Sequence, residues 1–475
     1  MDLFYYAYRM NKSSSSFCEI IEAARKGSIL SAVDAMLFDS NHYWLRNAHV
    51  PLSLMVGGSK WTPRKPPTDH LLCVDLEIQD GKIATLTAAG TLAETFMNSS
   101  VPSIDLERGI VLSCFSELHT HLDKGHTWER SPNVDGSFDA ALLAISRDSR
   151  KYWNADDVYR RMEFGLKCSY AHGTKAIRTH IDSFGKQAAI SWGVFDQLRS
   201  KWADRITLQA VALVSLDYYM TPAGEKLADL VAEMGGFLGG VAFTNPDLEA
   251  QIEQVFQLAK ARKLDLDFHV DENSEVDSIC LRLIAEATIR HKYKGKVVCG
   301  HCCSLSVQSE DEKNQTIALV KKAGIAIVSL PMCNLYLQGR IASKTPMWRG
   351  VTQLHELKKA GIPVTLSSDN CRDAFHAFGD HDGLEVFNMS VRIAHLDRPY
   401  GDWINSITLT PAEIMGLEYW GQIGAEMPAD LIIFKARTYG ELLSRSQHDR
   451  IVLRSGKSID RTLPKYSDLD DLVMI

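Results

Sequence analysis

No run of eighteen apolar residues occurs along the chain, so no membrane-spanning helix is expected. Blocks of like charge are missing too, which removes the acidic and basic tails that act as interaction arms. Lys plus Arg number 52 against 59 Asp plus Glu, a formal net charge of -7. That mild acidity repels phosphate backbones and anionic membrane surfaces, so neither is expected as a partner. Neither GxGxxG nor a phosphate-binding P-loop is present, which argues against a doubly wound nucleotide-binding sheet. Ten cysteines are scattered over 475 residues, Cys302 and Cys303 being adjacent. The CxxC from Cys299 to Cys302 has no second CxxC to complete a zinc site. A disulfide framework is therefore not expected, and a reducing, cytoplasmic setting is.

Against those absences stands ordinary globular composition, with 45% hydrophobic and 23% charged residues. The length suits one large barrel and a smaller satellite domain. Residues 1–42 are expected to be an N-terminal extension. Asp2, Glu19 and Glu22 argue against a transit peptide, and the short, interrupted apolar stretch argues against a signal peptide. Strands are expected at Tyr43–Val50, at Leu71–Ile83 around an Asp80-Gly81 turn, at Pro428–Phe434 and at Arg450–Lys457. The Pro-rich segment Ser59–Asp69 reads as a loop.

Between these ends runs a strand-then-helix rhythm. Candidate strands are Gly109–Leu118, Lys175–His180, Ile206–Leu213, Phe237–Ala242, Leu264–His269, Lys296–His301, Ile325–Leu330 and Ile362–Ser367. Helical patterns such as Leu248–Ala261 and Ser309–Lys322 separate them. Eight such strands predict a (β/α)8 barrel over 113–415. The two chain ends, 43–112 and 416–475, are expected to form a small β-sandwich domain.

Five ligand-type side chains fall where barrel strands end. His119 and His121 are expected just past the first strand, His269 at the end of the fifth, His301 at the end of the sixth, and Asp369 after the eighth. Parallel strands bring these ends to one face, where barrel enzymes place their active sites. An HxH on a strand directs both imidazoles to the same side. Imidazole and carboxylate suit Zn²⁺ or Fe²⁺, and retention of a water makes such a site catalytic. A lone strand-end histidine is more often structural, but five coincidences of type and position are not. Beside His269, in FHVDENSE, Glu272 is placed to carry protons, with Asp271 as its rival.

The chain resembles the cytosine deaminase branch of the amidohydrolase superfamily over roughly residues 44 to 465. The resemblance is carried by HTHLDK at His119, RTHID at Arg178, HVDE at His269, GH at Gly300, LQGR at Leu337 and SSDN at Ser367. It implies one divalent metal, iron or zinc, held by His119, His121, His269 and Asp369. It further implies that His301 polarises the attacking water, that Glu272 shuttles protons and that Gln338 lies at the pocket wall. The lysine bridge of two-metal relatives is not required. Departures fall on the substrate side. Ser215 stands where those enzymes carry a glutamine, Asn370 where they carry a second aspartate, and Phe375 where they carry a tryptophan. The segment SDNCRDAFHAFG is similar to that of N-isopropylammelide amidohydrolase, although Glu272 is kept here.

The expected activity is deamination of a small nitrogen heterocycle, with free cytosine a poor substrate. Hydrolysis of a cyclic or N-alkyl amide by the same centre is the enzymatic alternative. A non-catalytic binding protein on the same barrel is the other, and the intact ligand set argues against it. The HxE and PCxxC signature of nucleic-acid deaminases is absent. A homo-oligomer is expected.

Overall fold

A computed structural model describes residues 40–61, 69–91 and 101–473. Almost all of the expected N-terminal extension and most of the expected Ser59–Asp69 loop lie outside the described residues. The described chain divides into two compact units. One runs through Cys114 and includes Pro399–Leu409 and Glu418–Arg461; the other holds Phe115–Arg398, Thr410–Leu417 and the segment from Thr462.

The first unit begins with β1 (His42–Pro51), β2 (Leu71–Gln79), β3 (Lys82–Ala88), β4 (Ser103–Asp105) and β5 (Val111–Ser113). β2 and β3 form the expected hairpin. Its turn residues Asp80 and Gly81 have φ of 49° and 83°, the positive values a type I′ turn requires. One sheet has the order β3-β2-β1-β4.

The second unit contributes β6 (Phe115–Thr120), β7 (Thr174–Asp182), β8 (Thr207–Leu213), β9 (Leu238–Ala242), β10 (Leu266–Val270), β11 (Val297–His301), β12 (Ala326–Ser329) and β13 (Val364–Leu366). All pair in parallel, as β6-β7-β8 and as β9-β10-β11-β12-β13. Isolated parallel bridges Val211–Phe237 and Ser215–Val241 link β8 to the β9 segment, and Thr120–Asp369 links β6 to the residues after β13. Helices fill the crossovers, among them Ala155–His172, Leu248–Arg262, Cys280–Arg290 and Glu310–Ala323. Ser309 begins the last of these with a reciprocal capping box to Glu312, which satisfies N–H groups that the first turn leaves free. Every residue of β10 to β13 is buried, as in a parallel sheet covered on both faces. This is an α/β fold with parallel sheets.

The chain then returns to the first unit with β14 (Leu431–Ile433), β15 (Ile451–Arg454) and β16 (Lys457–Ser458), giving the sheet β16-β15-β14-β5. Both sheets of that unit contribute to one apolar cluster that includes Leu45, Leu76, Val111, Ile433 and Leu453.

Two expected strands need correction. Gly109–Leu118 is not one strand. The Cys114 N–H donates to Asp430 O and the Phe115 N–H to Gly173 O, so the ladder changes partner between them. Arg450–Lys457 is a hairpin, because Ser455 and Gly456 take positive φ of 44° and 70° and turn β15 back as β16. Among the described residues, no helix is long and apolar enough to cross a membrane.

Candidate metal centre

β6 extends through Thr120, so His119 lies within the strand and His121 one residue past it. His269 is the penultimate residue of β10, and His301 closes β11. Asp369 is drawn against β6 from both sides of the backbone. Its N–H donates to His119 O at 3.0 Å, and Thr120 Oγ1 donates to its carbonyl at 2.8 Å. Asp369, His301 and Asp271 all hold left-handed backbone, with φ of 63°, 68° and 51°. Such strain in non-glycine residues is kept where surrounding structure enforces it, often at functional sites.

The side chains converge. Donor atoms of His119, His269, His301 and Asp369 all lie within 4.8 Å of one another. His121 Nε2 is 3.1 Å from Asp369 Oδ1 and 3.3 Å from His269 Nε2, and His119 Nε2 is 3.4 Å from the same Oδ1. All five residues are exposed by 5% or less. Burial pushes His121 down to about 4 and His301 to about 3, and holds His269 well below the ordinary imidazole value. These rings are therefore neutral, with lone pairs available. Burial alone would raise Asp369, but its contacts with His119 and His121 outweigh that and keep it an anion.

This set fits a divalent ion. Two donors about 2.0–2.1 Å from a tetrahedral ion stand about 3.3–3.4 Å apart, close to the separations seen. Nδ1 of His119 and Nε2 of His301 are buried without a hydrogen-bond partner. Each such orphan costs about 1–3 kcal/mol unless something occupies its lone pair.

Glu272 reaches the same centre. Its Oε1 lies 3.2 Å from His301 Nδ1, and Asn334 Nδ2 approaches both, at 3.3 Å and 3.1 Å. Burial, then the charge of Asp369, raises Glu272 well above the usual carboxylate range. A carboxyl whose hold on its proton is strengthened in this way is suited to acid–base work. Its rival Asp271 is otherwise engaged. Its carboxylate accepts the N–H groups of Cys280 and Leu281, both at 2.9 Å, and so caps helix Cys280–Arg290.

The substrate-side candidates are placed unevenly. Gln338 Nε2 donates to Glu272 O at 3.0 Å, which holds the two residues side by side. Asn370 follows Asp369 but turns its Nδ2 to Asp373 at 2.8 Å. Phe375 packs its ring edge-on against Phe138 with centroids 5.6 Å apart, and the Lys124 ammonium lies 5.6 Å from its centroid. Ser215 sits past the end of β8, and its backbone bridges to Val241.

Sequence reasoning left out His180, Asp267, Lys124 and Asn334. His180 is buried on β7 with its ring centroid 4.0 Å from that of His119 and 4.6 Å from that of His269. Asp267 on β10 pairs with Arg178 at 2.8 Å. Lys124 donates to Asp182 at 2.8 Å. A signal was present in RTHID: Arg178, His180 and Asp182 alternate onto one face of a strand that is buried from Ala176 to Ile181. Asn334 lies within helix Pro331–Leu337 and carries no such pattern.

Residues 227–457 match the Amidohydrolase family. The chain is 47% identical over 430 residues to a pterin deaminase from Rhizobium rhizogenes, covering 90% of this chain and 96% of that one. It is 27% identical over 344 residues to an N-isopropylammelide isopropyl amidohydrolase from a Pseudomonas species, covering 70% and 81%. The crystal structure of 5-methylcytosine deaminase from Klebsiella pneumoniae, liganded with 5-fluorocytosine, superposes with a TM-score of 0.75 at 23% identity, covering 89% of this chain and 98% of that one. The chain belongs to the amidohydrolase family and is a hydrolase of carbon–nitrogen bonds.

Proposed function

We propose that this protein is a metal-dependent deaminase of a small nitrogen heterocycle, with an aminopteridine of the pterin type as its substrate class. The observation that carries the reaction is the Glu272–His301 contact of 3.2 Å beside the ligand cluster. The 47% identity to a pterin deaminase carries the substrate class.

In this reading the parallel strands β6 to β13 close into a (β/α)8 barrel, supported by the bridges at both seams. The two sheets of the first unit form a small sandwich, supported by their common apolar cluster. The barrel spans about 113–415, with the sandwich drawn from 43–112 and 416–475. His119, His121, His269 and Asp369 hold one Fe²⁺ or Zn²⁺. When bound, the ion supplies Lewis acidity and lowers the pKa of water in the site.

The residues handle the rest. His301, whose Nδ1 faces Glu272 and Asn334, offers Nε2 to the attacking water. Water oxygen bonds to the ring carbon that bears the amino group, and the carbon–nitrogen bond breaks. Glu272 takes the water proton and delivers it to the departing nitrogen, which leaves as ammonia. Gln338, held at the backbone of Glu272, and Phe375 border the ring. Ser215 and Asn370 set the hydrogen-bonding edge.

The test is release of ammonia from pterin or cytosine, and of the alkylamine from an N-alkylaminotriazine, by metal-loaded protein. Turnover of pterin supports the proposal. Turnover of the triazine alone favours hydrolysis that releases an alkylamine, the reading that the 27% identical relative suggests. A metal-replete protein that turns over none of them overturns it.

A further inference from the structure

Away from the ligands named above, a second group of donor side chains meets in the barrel unit. His126 follows β6 in the run HTHLDKGH, while Cys371 and His381 stand at either end of the segment after Asp369. A ring nitrogen of each histidine and Cys371 Sγ all lie within 4.8 Å of one another. The three residues are 2%, 1% and 6% exposed. His126 Nε2 and His381 Nε2 face each other at 3.3 Å, the same separation as the His121 and His269 Nε2 atoms at the primary centre.

We propose that His126, Cys371 and His381 form a second site for a zinc-type divalent ion. Two nitrogens and a sulfur are the donor types of such sites. Nitrogens about 2.0–2.1 Å from a tetrahedral ion lie about 3.3–3.4 Å apart, so the two imidazoles already stand at a coordination edge. The surroundings hold them there. The His126 N–H donates to Cys371 O at 3.1 Å, joining the two segments by backbone. Phe164 packs edge-on against His126 with ring centroids 4.6 Å apart. Gly165, within helix Ala155–His172, leaves room for the other ring, since a Cβ there would come within 3.0 Å of His381 Nε2.

The site would act on the loop it brackets. Residues 372–380 carry Asp373, bonded to Asn370, and Phe375, which borders the substrate in the function proposed above. A metal joining Cys371 to His381 closes that loop at its base and ties it to the segment after β6. This effect on substrate binding rests on that functional reading; the metal site itself does not.

The experiment starts with the full-length protein, loaded with cobalt or zinc under reducing conditions and gel-filtered. The expected result is two metal equivalents per chain and a thiolate-to-cobalt charge-transfer band, because the primary ligands offer only nitrogen and oxygen. Cys371→Ser should lose the band and one equivalent, retain the metal needed for turnover, and raise KM by more than it lowers kcat. In Asp369→Ala the band should persist, since its ligands are untouched. One equivalent with no band in the full-length protein, or a band unchanged in Cys371→Ser, overturns the site. Failure to deaminate pterin with the band intact would overturn the functional reading and leave the site standing.

Discussion

Glu272 Oε1 and His301 Nδ1 stand 3.2 Å apart, and the amide of Asn334 touches both. A carboxyl and an imidazole held on one side-chain amide cannot shift independently. The proposed relay therefore depends on a residue outside the proposed ligand set. Asn334→Ala is expected to lower kcat about 10- to 100-fold, the range for partners that orient functional side chains. It should also displace the pH profile of kcat, which a purely structural loss would leave in place. Metal content should not change.

Glu272→Gln is expected to keep the fold and the metal while losing about 10² to 10⁴-fold in kcat, the usual share of a general acid–base group. Circular dichroism, metal analysis and steady-state kinetics on one preparation check all three. Near-native turnover would assign the proton work elsewhere, with His301 the next candidate.

Asp369→Ala removes the anionic member of the primary set, the carboxylate that both His119 and His121 contact. It is expected to lose the metal equivalent on which turnover depends. Chelation of the native protein should abolish activity, with Fe²⁺ or Zn²⁺ restoring it. Full activity in rigorously metal-free protein would contradict the assignment.

Metal-free protein should lose stability as the solution is acidified. His121 and His301 are depressed to about 4 and about 3 in the folded state, against about 6.5 when unfolded. Between those values the unfolded chain binds more protons than the folded one, so stability rises with pH. The loss should begin near pH 6.5 and continue as pH falls towards about 4 and about 3. Urea midpoints of chelated protein measured across this range check the slope. Their share is isolated by repeating the series on chelated His121→Gln, which should show a shallower slope; an unchanged slope would mean that this ring is not buried and neutral.

Pterin is expected to exceed cytosine in kcat/KM by at least about 10²-fold. Ser215 cannot offer the paired donor and acceptor of a glutamine amide, and Asn370 carries no charge where an aspartate would. A site built for one hydrogen-bonding edge can reject mismatched rings by up to about 10⁴ to 10⁵. A value for cytosine near 10⁴ M⁻¹s⁻¹, roughly in the ordinary enzymatic range, would contradict this reading of the pocket.

What could be read in the sequence depended on how each residue reveals itself. His119, His121, His269, His301 and Asp369 were legible because parallel strands end at one face, so residue type and strand position suffice to bring them together. Glu272 was legible only through its nearness to His269. The sequence already favours it over Asp271, and in the structure helix Cys280–Arg290 claims the Asp271 carboxylate. Asn334 and His126 were hidden, since neither helix nor loop periodicity says which side chain meets a distant strand end. The break at Cys114 was hidden for a related reason. One apolar run feeds two sheets, and hydrophobicity does not record which ladder each N–H joins.

The left-handed backbone at position 369 also limits what evolution or an engineer can place there. Aspartate, like asparagine, tolerates that conformation better than most residues, and glycine tolerates it best. Glutamate would keep the charge while losing the local ease, so a swap that looks conservative by chemistry is not conservative by conformation. Glycine would relax the chain and discard the carboxylate. Selection for stability alone would therefore push this position away from activity, and retention of aspartate in a new variant is a cheap first filter for whether catalysis has been preserved.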